Sequence, residues 1–261
     1  MRHGRQSASV SGRQVQVLAD LPAVARAAAE RLVALARDAV LARGRFTVAL
    51  SGGSTPRALF QLLAGESFRS SLAWDRVELF WGDERCVPPD HADSNYRMTR
   101  ETLLGAVPIP PERVHRIEAE RLDHAGAAAA YEAEIARVLG GTPGGTPPAL
   151  DLVLLGMGPD GHTASLFPGT TALAERRRWV VVNHVPKFKA DRITLTYPIL
   201  NRAAHVVFLA AGADKAGVLR EVLEGPPDLE RLPSQGIRPE AGGPVWLVDR
   251  AAADRLTTAI A

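Results

Sequence analysis

DLVLLGMGPDGHTASLFPG, residues 151–169, is the stretch from which the fold can be read. Its first five residues are a short apolar run of the kind that forms a strand buried on both faces of a parallel sheet. The run stops at a glycine-rich turn that carries Asp160 and His162. Open α/β sheets bind ligands beyond the carboxyl ends of their strands, so an acid and an imidazole just past such a strand are placed to act on one. The residues GMGPDG also fit the loose G-x-G-x-x-G pattern of dinucleotide sites, but that pattern must open a long helix. Here the turn leads into a short segment, 163–167, closed by Pro168 and Gly169, so a nicotinamide or flavin is not expected.

The same order of strand, tight turn and helix recurs on either side. Upstream, 46–50 is apolar, SGGSTP follows at 51–56, and Ala58, Leu59, Leu62 and Leu63 mark a helix. Two glycines let the backbone turn sharply there, Thr55 suits an N-cap and Pro56 the first helical position. A helix start of this kind offers free N–H groups to an anion. It lacks the Gly-Lys pair of a Walker A loop, which argues against nucleotide hydrolysis. Strand 77–81 ends in Gly82-Asp83-Glu84-Arg85, and strand 205–209 empties into Gly212-Ala213-Asp214-Lys215. Further strands are expected at 15–18, 114–117, 179–182, 192–196 and 245–248. Helices are expected at 22–42, 94–104, 125–139, 198–203, 216–223 and 251–260. The segment GGTPGGTPPA, 140–149, has no periodicity and reads as a mobile surface loop inside the domain.

Repeated strand-helix units predict an α/β fold, an open, mainly parallel doubly wound sheet with helices on both faces. Four polar groups then follow from position alone. Residues 51–55, 83–85, 160–162 and Lys215 each come just after a buried strand, so a parallel sheet gathers them at one edge. Arginine, lysine and a helix N-terminus suit a phosphate monoester, and an imidazole among acids suits proton transfer near neutral pH.

Composition sets the outer limits. The 261 residues are 46% hydrophobic and 23% charged, enough for one sizeable core. Residues 14–261 are expected to form a single domain behind a polar, disordered leader, 1–13. A net charge of +2 and the absence of a Lys/Arg run with interleaved aromatics make nucleic acid an unexpected partner. No apolar span long enough for a membrane stands out, and the single cysteine, Cys86, fits a reducing compartment, so a cytoplasmic monomer is expected. Asp90, His91 and Asp93 read as a solvated loop and not a metal site. Cys86 beside Arg85 has no indicated histidine partner and is not taken as a nucleophile.

The chain resembles the glucosamine-6-phosphate isomerase/6-phosphogluconolactonase family. The likeness runs from about Phe46 to Ala253 and is carried by SGGSTP (51–56), WGDERCVPPDHADSNY (81–96), GMGPDGHTASLFPG (156–169), RITLTYPILNRA (192–203), GADKAGVL (212–219), LPSQGIRP (232–239) and VWLVD (245–249). GDER followed closely by SNY points to the lactonase branch. The resemblance implies hydrolysis of 6-phospho-D-glucono-1,5-lactone in the oxidative pentose phosphate pathway, with no cofactor and no metal. It implies that His162 is the general base on water, that Asp160 orients His162 or the water, and that Arg85 stabilises the oxyanion or binds substrate. Gly52, Gly53, Ser54, Thr55, Asp83, Gly158, Arg192 and Lys215 are implied to hold the sugar phosphate. A deaminase or isomerase of the same superfamily would need a further acid after the DGH turn, where residues 163–167 supply none. A sugar-phosphate sensor would need a DNA-binding segment, for which 13 leader residues are too few.

Overall fold

A computed structural model of the chain describes residues 6–10 and 12–257. The strands are β1 (Gln6–Val10), β2 (Arg13–Leu18), β3 (Phe46–Leu50), β4 (Val77–Trp81), β5 (Asp83–Arg85), β6 (Leu152–Gly156), β7 (Val180–Val185), β8 (Ala190–Leu195), β9 (Val206–Ala210) and β10 (Val245–Asp249). The helices are α1 (Leu21–Arg43), α2 (Ser54–Ala64), α3 (Glu66–Arg69), α4 (Asn95–Thr99), α5 (His124–Leu139), α6 (Tyr197–Arg202), α7 (Ala216–Glu224) and α8 (Arg250–Ala253).

The described residues form a seven-stranded sheet in the order β1-β2-β10-β9-β6-β3-β4. All neighbours from β2 to β4 are parallel, and β1 runs antiparallel at the edge. Every residue of β3, β4 and β9 is buried, as strands covered on both faces must be. Helix α1 shows how local chemistry delimits an element. The Asp20 carboxylate caps it by accepting from the Ala23 N–H, Pro22 sits in the first turn, and Gly44 closes it in the left-handed conformation. Its small residues Ala28, Ala29, Ala36 and Ala39, with Val24 and Leu32, are buried in the common core. Asp151 ties β6 to β3 at their bases: its carboxylate accepts from Thr47 N and Oγ1 and pairs with Arg43.

Connectivity places the site. From β3 the chain moves outward to β4, whereas from β6 it moves the other way through β9 to β10. The order reverses between β3 and β6, and it is at such a switch point that an open parallel sheet leaves a crevice at its carboxyl edge. The turns that enter this crevice are the SGGSTP and GPDGH segments.

The observed architecture departs from expectation in several places. The helix expected at 251–260 is the four-residue α8, which ends at Ala253, and residues 258–260 of that expectation lie outside the described residues. Segments 179–182 and 192–196 do not join the parallel sheet. As β7 and β8 they form a separate antiparallel sheet in the order β5-β8-β7, with the GDER segment as its third strand. Strand propensity cannot tell which sheet a strand will join, because that depends on partners remote in sequence. Segment 114–117 makes only a single parallel bridge, Val114 to Leu79. Of the leader expected to be disordered, residues 1–5 and 11 lie outside the described residues, whereas Gln6–Val10 pairs with β2 across a turn at Gly12, φ +78°. Ladder hydrogen bonds come from the backbone, so a polar segment can be an edge strand. Lastly, the 140–149 segment has no regular structure but is anchored: the buried Trp179 indole donates to the Gly145 carbonyl.

Candidate active site

The turn after β6 is closed by its own backbone. Gly158 N–H donates to the His162 carbonyl and Gly161 N–H to the Gly158 carbonyl, with Gly161 in the left-handed region at φ +77°. The Ser234 hydroxyl and N–H both donate to the Gly161 carbonyl and pin the turn from the other side. This geometry brings two side chains together: His162 Nδ1 lies 2.5 Å from Asp160 Oδ1. An ionised carboxylate accepts only, so Nδ1 donates, and in the neutral imidazole the lone pair stands on Nε2. Nε2 makes no hydrogen bond to any described residue, and 24% of the side chain is exposed. The imidazole stacks on Phe167 with ring centroids 4.0 Å apart. The other Asp160 oxygen accepts from Lys187 Nζ at 3.0 Å. Burial opposes ionisation of Asp160, but the hydrogen bonds from His162 and Lys187 outweigh it and hold the carboxyl well below the usual carboxylate range.

Beside this pair lie two arginines. β5 and β8 run antiparallel with Arg85 opposite Arg192, so both side chains leave one face of the small sheet. Burial, and then the neighbouring Arg85, lower the Arg192 pKa. Arg192 forms no ion pair with a carboxylate among the described residues. Its guanidinium stands over Phe188 at 5.1 Å and Phe167 at 6.0 Å from the ring centroids. Arg85 donates to the Asp93 carbonyl, while its Nε is buried without a partner. Two guanidinium groups held together without an ion-paired carboxylate among the described residues favour an anion beside them.

Asp83 and Glu84 are buried and committed. Asp83 accepts from the Ser165 hydroxyl at 2.6 Å and from the Asn95 amide, locking the DGH segment to β5. Glu84 accepts from the Arg85, Asn95 and Tyr96 N–H groups and from the Ser94 hydroxyl, and so fixes the start of α4. Burial raises the Glu84 pKa in spite of these bonds.

The third part is the start of α2. The helix begins two residues earlier than the Thr55 cap predicts: Gly53, at φ +104°, is the cap, no side chain caps it, and Ser54 is the first helical residue. Gly53 and Ser54 are exposed, leaving the uncapped end of an eleven-residue helix open at the rim. Asn95 fixes the approach to this loop, since a Cβ on Gly52 would lie 1.9 Å from Asn95 Oδ1. Ser51 lies against the end of β6, 3.6 Å from where a Cβ on Gly156 would stand.

Several of the residues expected at the site are linked: Gly52 approaches Asn95, Asn95 and Ser165 hold Asp83, Arg85 lies opposite Arg192, and Phe167 lies between the Arg192 guanidinium and the His162 ring. Lys215 follows the neighbouring strand β9 and pairs with Asp214 at 2.9 Å. Asp214 and Asp160 line a common hollow of about 560 Å³, but among the described residues Lys215 makes no hydrogen bond or ion pair with the other expected residues. A second hollow, about 720 Å³, lies beside His115 and Arg116 and includes no expected site residue. His115 is held there between Glu78 and Glu134, and His124 and His184 both bind Asp191. Cys86 sits next to the site, but burial, with Asp191 nearby, pushes its thiol up to about 12, so it stays protonated at neutral pH.

Lys187, Phe167, Phe188, Ser165 and Asn95 are at the site and were not singled out from the sequence. Lysine occurs at three positions only, 187, 189 and 215, which makes Lys187 the one with a compositional signal.

Comparison with known proteins places this geometry among relatives. The family model described as glucosamine-6-phosphate isomerases/6-phosphogluconolactonase matches residues 19–246. A 6-phosphogluconolactonase of Nostoc sp. is 43% identical over 243 residues, 93% of this chain and 98% of its own. The solved structure of 6-phosphogluconolactonase from Trypanosoma cruzi is similar with a TM-score of 0.82 and 32% identity, covering 96% of this chain and 99% of its own. A monomeric glucosamine-6-phosphate deaminase shares the fold alone, with a TM-score of 0.77 at 20% identity over 92% of this chain and 99% of its own.

Proposed function

Since the chain belongs to the glucosamine-6-phosphate isomerase/6-phosphogluconolactonase family, we propose that it hydrolyses 6-phospho-D-glucono-1,5-lactone to 6-phospho-D-gluconate, the lactonase step of the oxidative pentose phosphate pathway, with His162 as general base. The observation that carries the mechanism is the Asp160–His162 pair at the rim, with Nδ1 engaged and Nε2 free. Nε2 takes a proton from water as the water oxygen attacks the lactone carbonyl carbon. The tetrahedral oxyanion collapses, the bond from that carbon to the ring oxygen breaks, and the imidazolium proton passes to the leaving ring oxygen. Asp160 fixes the tautomer and stabilises the imidazolium, as the carboxylate does in an Asp-His pair generally. Arg85 and its neighbour Arg192 offer guanidinium donors to the oxyanion and to the 6-phosphate. The open start of α2, from Gly53 to Thr55, and Lys215 complete the phosphate cradle, while Gly52, Asp83 and Gly158 shape its walls.

General-base assistance is worth roughly 10²–10⁴-fold, and holding the carbonyl against the water adds a positioning effect. His162→Ala is expected to abolish hydrolysis above the spontaneous background while leaving 6-phosphogluconate binding largely intact. Equal turnover by the variant would remove His162 from this role. Ammonia release from glucosamine 6-phosphate by the wild-type protein would instead favour the deaminase reading. Among the described residues no helix is long and apolar enough to cross a membrane, and we read the protein as a cytoplasmic monomer acting on a small sugar phosphate without nucleic acid.

A further inference from the structure

Arg192 poses a physical problem. It is a partly buried cation beside a second arginine, and no carboxylate pairs with it among the described residues. Like charges so placed repel, and a long side chain with no partner loses its orientation. What the guanidinium does meet is aromatic: Phe188 at 5.1 Å and Phe167 at 6.0 Å. Phe188 lies in the turn Pro186–Phe188 that joins β7 to β8, and is 47% exposed. Its ring meets Phe167 edge-on at 5.7 Å and 79°, and Phe167 stacks on His162. The next residue, Lys189, takes the left-handed conformation at φ +48° to return the chain to β8.

We propose that Phe188 is a positioning residue for substrate binding: its ring face holds the Arg192 guanidinium in place for the 6-phosphate without consuming a hydrogen-bond donor. A carboxylate partner would orient the same group but would neutralise it and occupy the N–H fork that an incoming phosphate needs. A π-face attracts the cation through its quadrupole and leaves the in-plane N–H groups free. The proposal rests on the reading of Arg192 as a phosphate-binding residue, and its test separates the two.

The measurement is the Kd of 6-phosphogluconate by calorimetry, with unphosphorylated gluconate as reference, on folded variants matched in thermal midpoint. Phe188→Leu keeps the apolar bulk and removes the quadrupole, and is expected to weaken 6-phosphogluconate binding by about two- to fivefold, the range of an exposed cation–π contact. Phe188→Trp is expected to restore it. KM for the lactone should rise in Phe188→Leu in parallel, with kcat unchanged, and gluconate binding should not move. In an Arg192→Ala background, Phe188→Leu should have no further effect. Unchanged affinity in Phe188→Leu alongside weakened binding in Arg192→Ala overturns the proposal and leaves the role of Arg192 standing. An equal loss from Phe188→Leu with and without Arg192 also overturns it. If Arg192→Ala itself binds normally, the phosphate reading of Arg192 falls and Phe188 with it.

Discussion

At the level of single residues, the chemistry depends on which imidazole nitrogen keeps its lone pair. Asp160 settles this by accepting from Nδ1, and Lys187 holds the second carboxylate oxygen so that the acceptor cannot rotate away. Asp160→Asn tests the assignment with little change of shape. The amide can present an N–H to Nδ1, which drives the proton to Nε2 and removes the base. The expected outcome is a fall in kcat of roughly 10²–10⁴-fold, with the KM for the lactone nearly unchanged. A variant with wild-type kcat would show that the pair is structural. Asp160 and His162 could be read from the sequence, since their place after an apolar strand is a local property. Lys187 could not, because 27 residues separate it from Asp160 and only the return of the β7–β8 hairpin brings it back.

At the level of elements, the site is made by turns whose residues are small for a measurable reason. A Cβ on Gly158 would stand 2.0 Å from His162 Cε1 and Nδ1, while the backbone there lies outside the left-handed region and tolerates alanine. Gly158→Ala therefore displaces the imidazole and leaves the strand and turn intact. A displacement on the order of 1 Å can cost about 10²-fold in rate, and a loss of that size is expected in the lactonase assay with an unchanged circular dichroism spectrum. Wild-type activity in this variant would show that the ring is not held where the structure puts it. The strand, glycine turn and helix of 46–64 was legible because apolar periodicity and cap residues are local signals. The helix start was misjudged by two residues because a glycine cap carries no side chain to announce itself.

At the level of the whole molecule, the two sheets divide the work. The parallel sheet sets the carboxyl edge, and the small antiparallel sheet brings Arg85 and Arg192 side by side. The network that stiffens the far side is ionic. Glu134 on α5 binds Arg137 and His115, and these bonds, the Arg137 one foremost, hold its carboxyl down to about 2. Because its folded pKa lies below the ordinary value of 4.5, Glu134 contributes stability at neutral pH and loses it as pH falls from about 4.5 toward 2. The thermal midpoint is expected to drop across that window, and Glu134→Gln to have a lower midpoint at pH 7 but a shallower acid fall. Parallel curves for the two proteins would exclude the contribution.

What the sequence determined by itself was the class of fold, the edge at which polar turns collect, and the acid and imidazole at the end of β6. All follow from periodicity and from neighbours within a few residues, which act before any long-range contact forms. The tertiary structure alone decided that β5, β7 and β8 make a sheet of their own, that the buried Asp83 binds Ser165 82 residues away, and that Lys187, Phe167 and Phe188 crowd around Asp160, His162 and Arg192. Those choices depend on which remote surfaces cover one another, a property of the packed chain that no local pattern encodes.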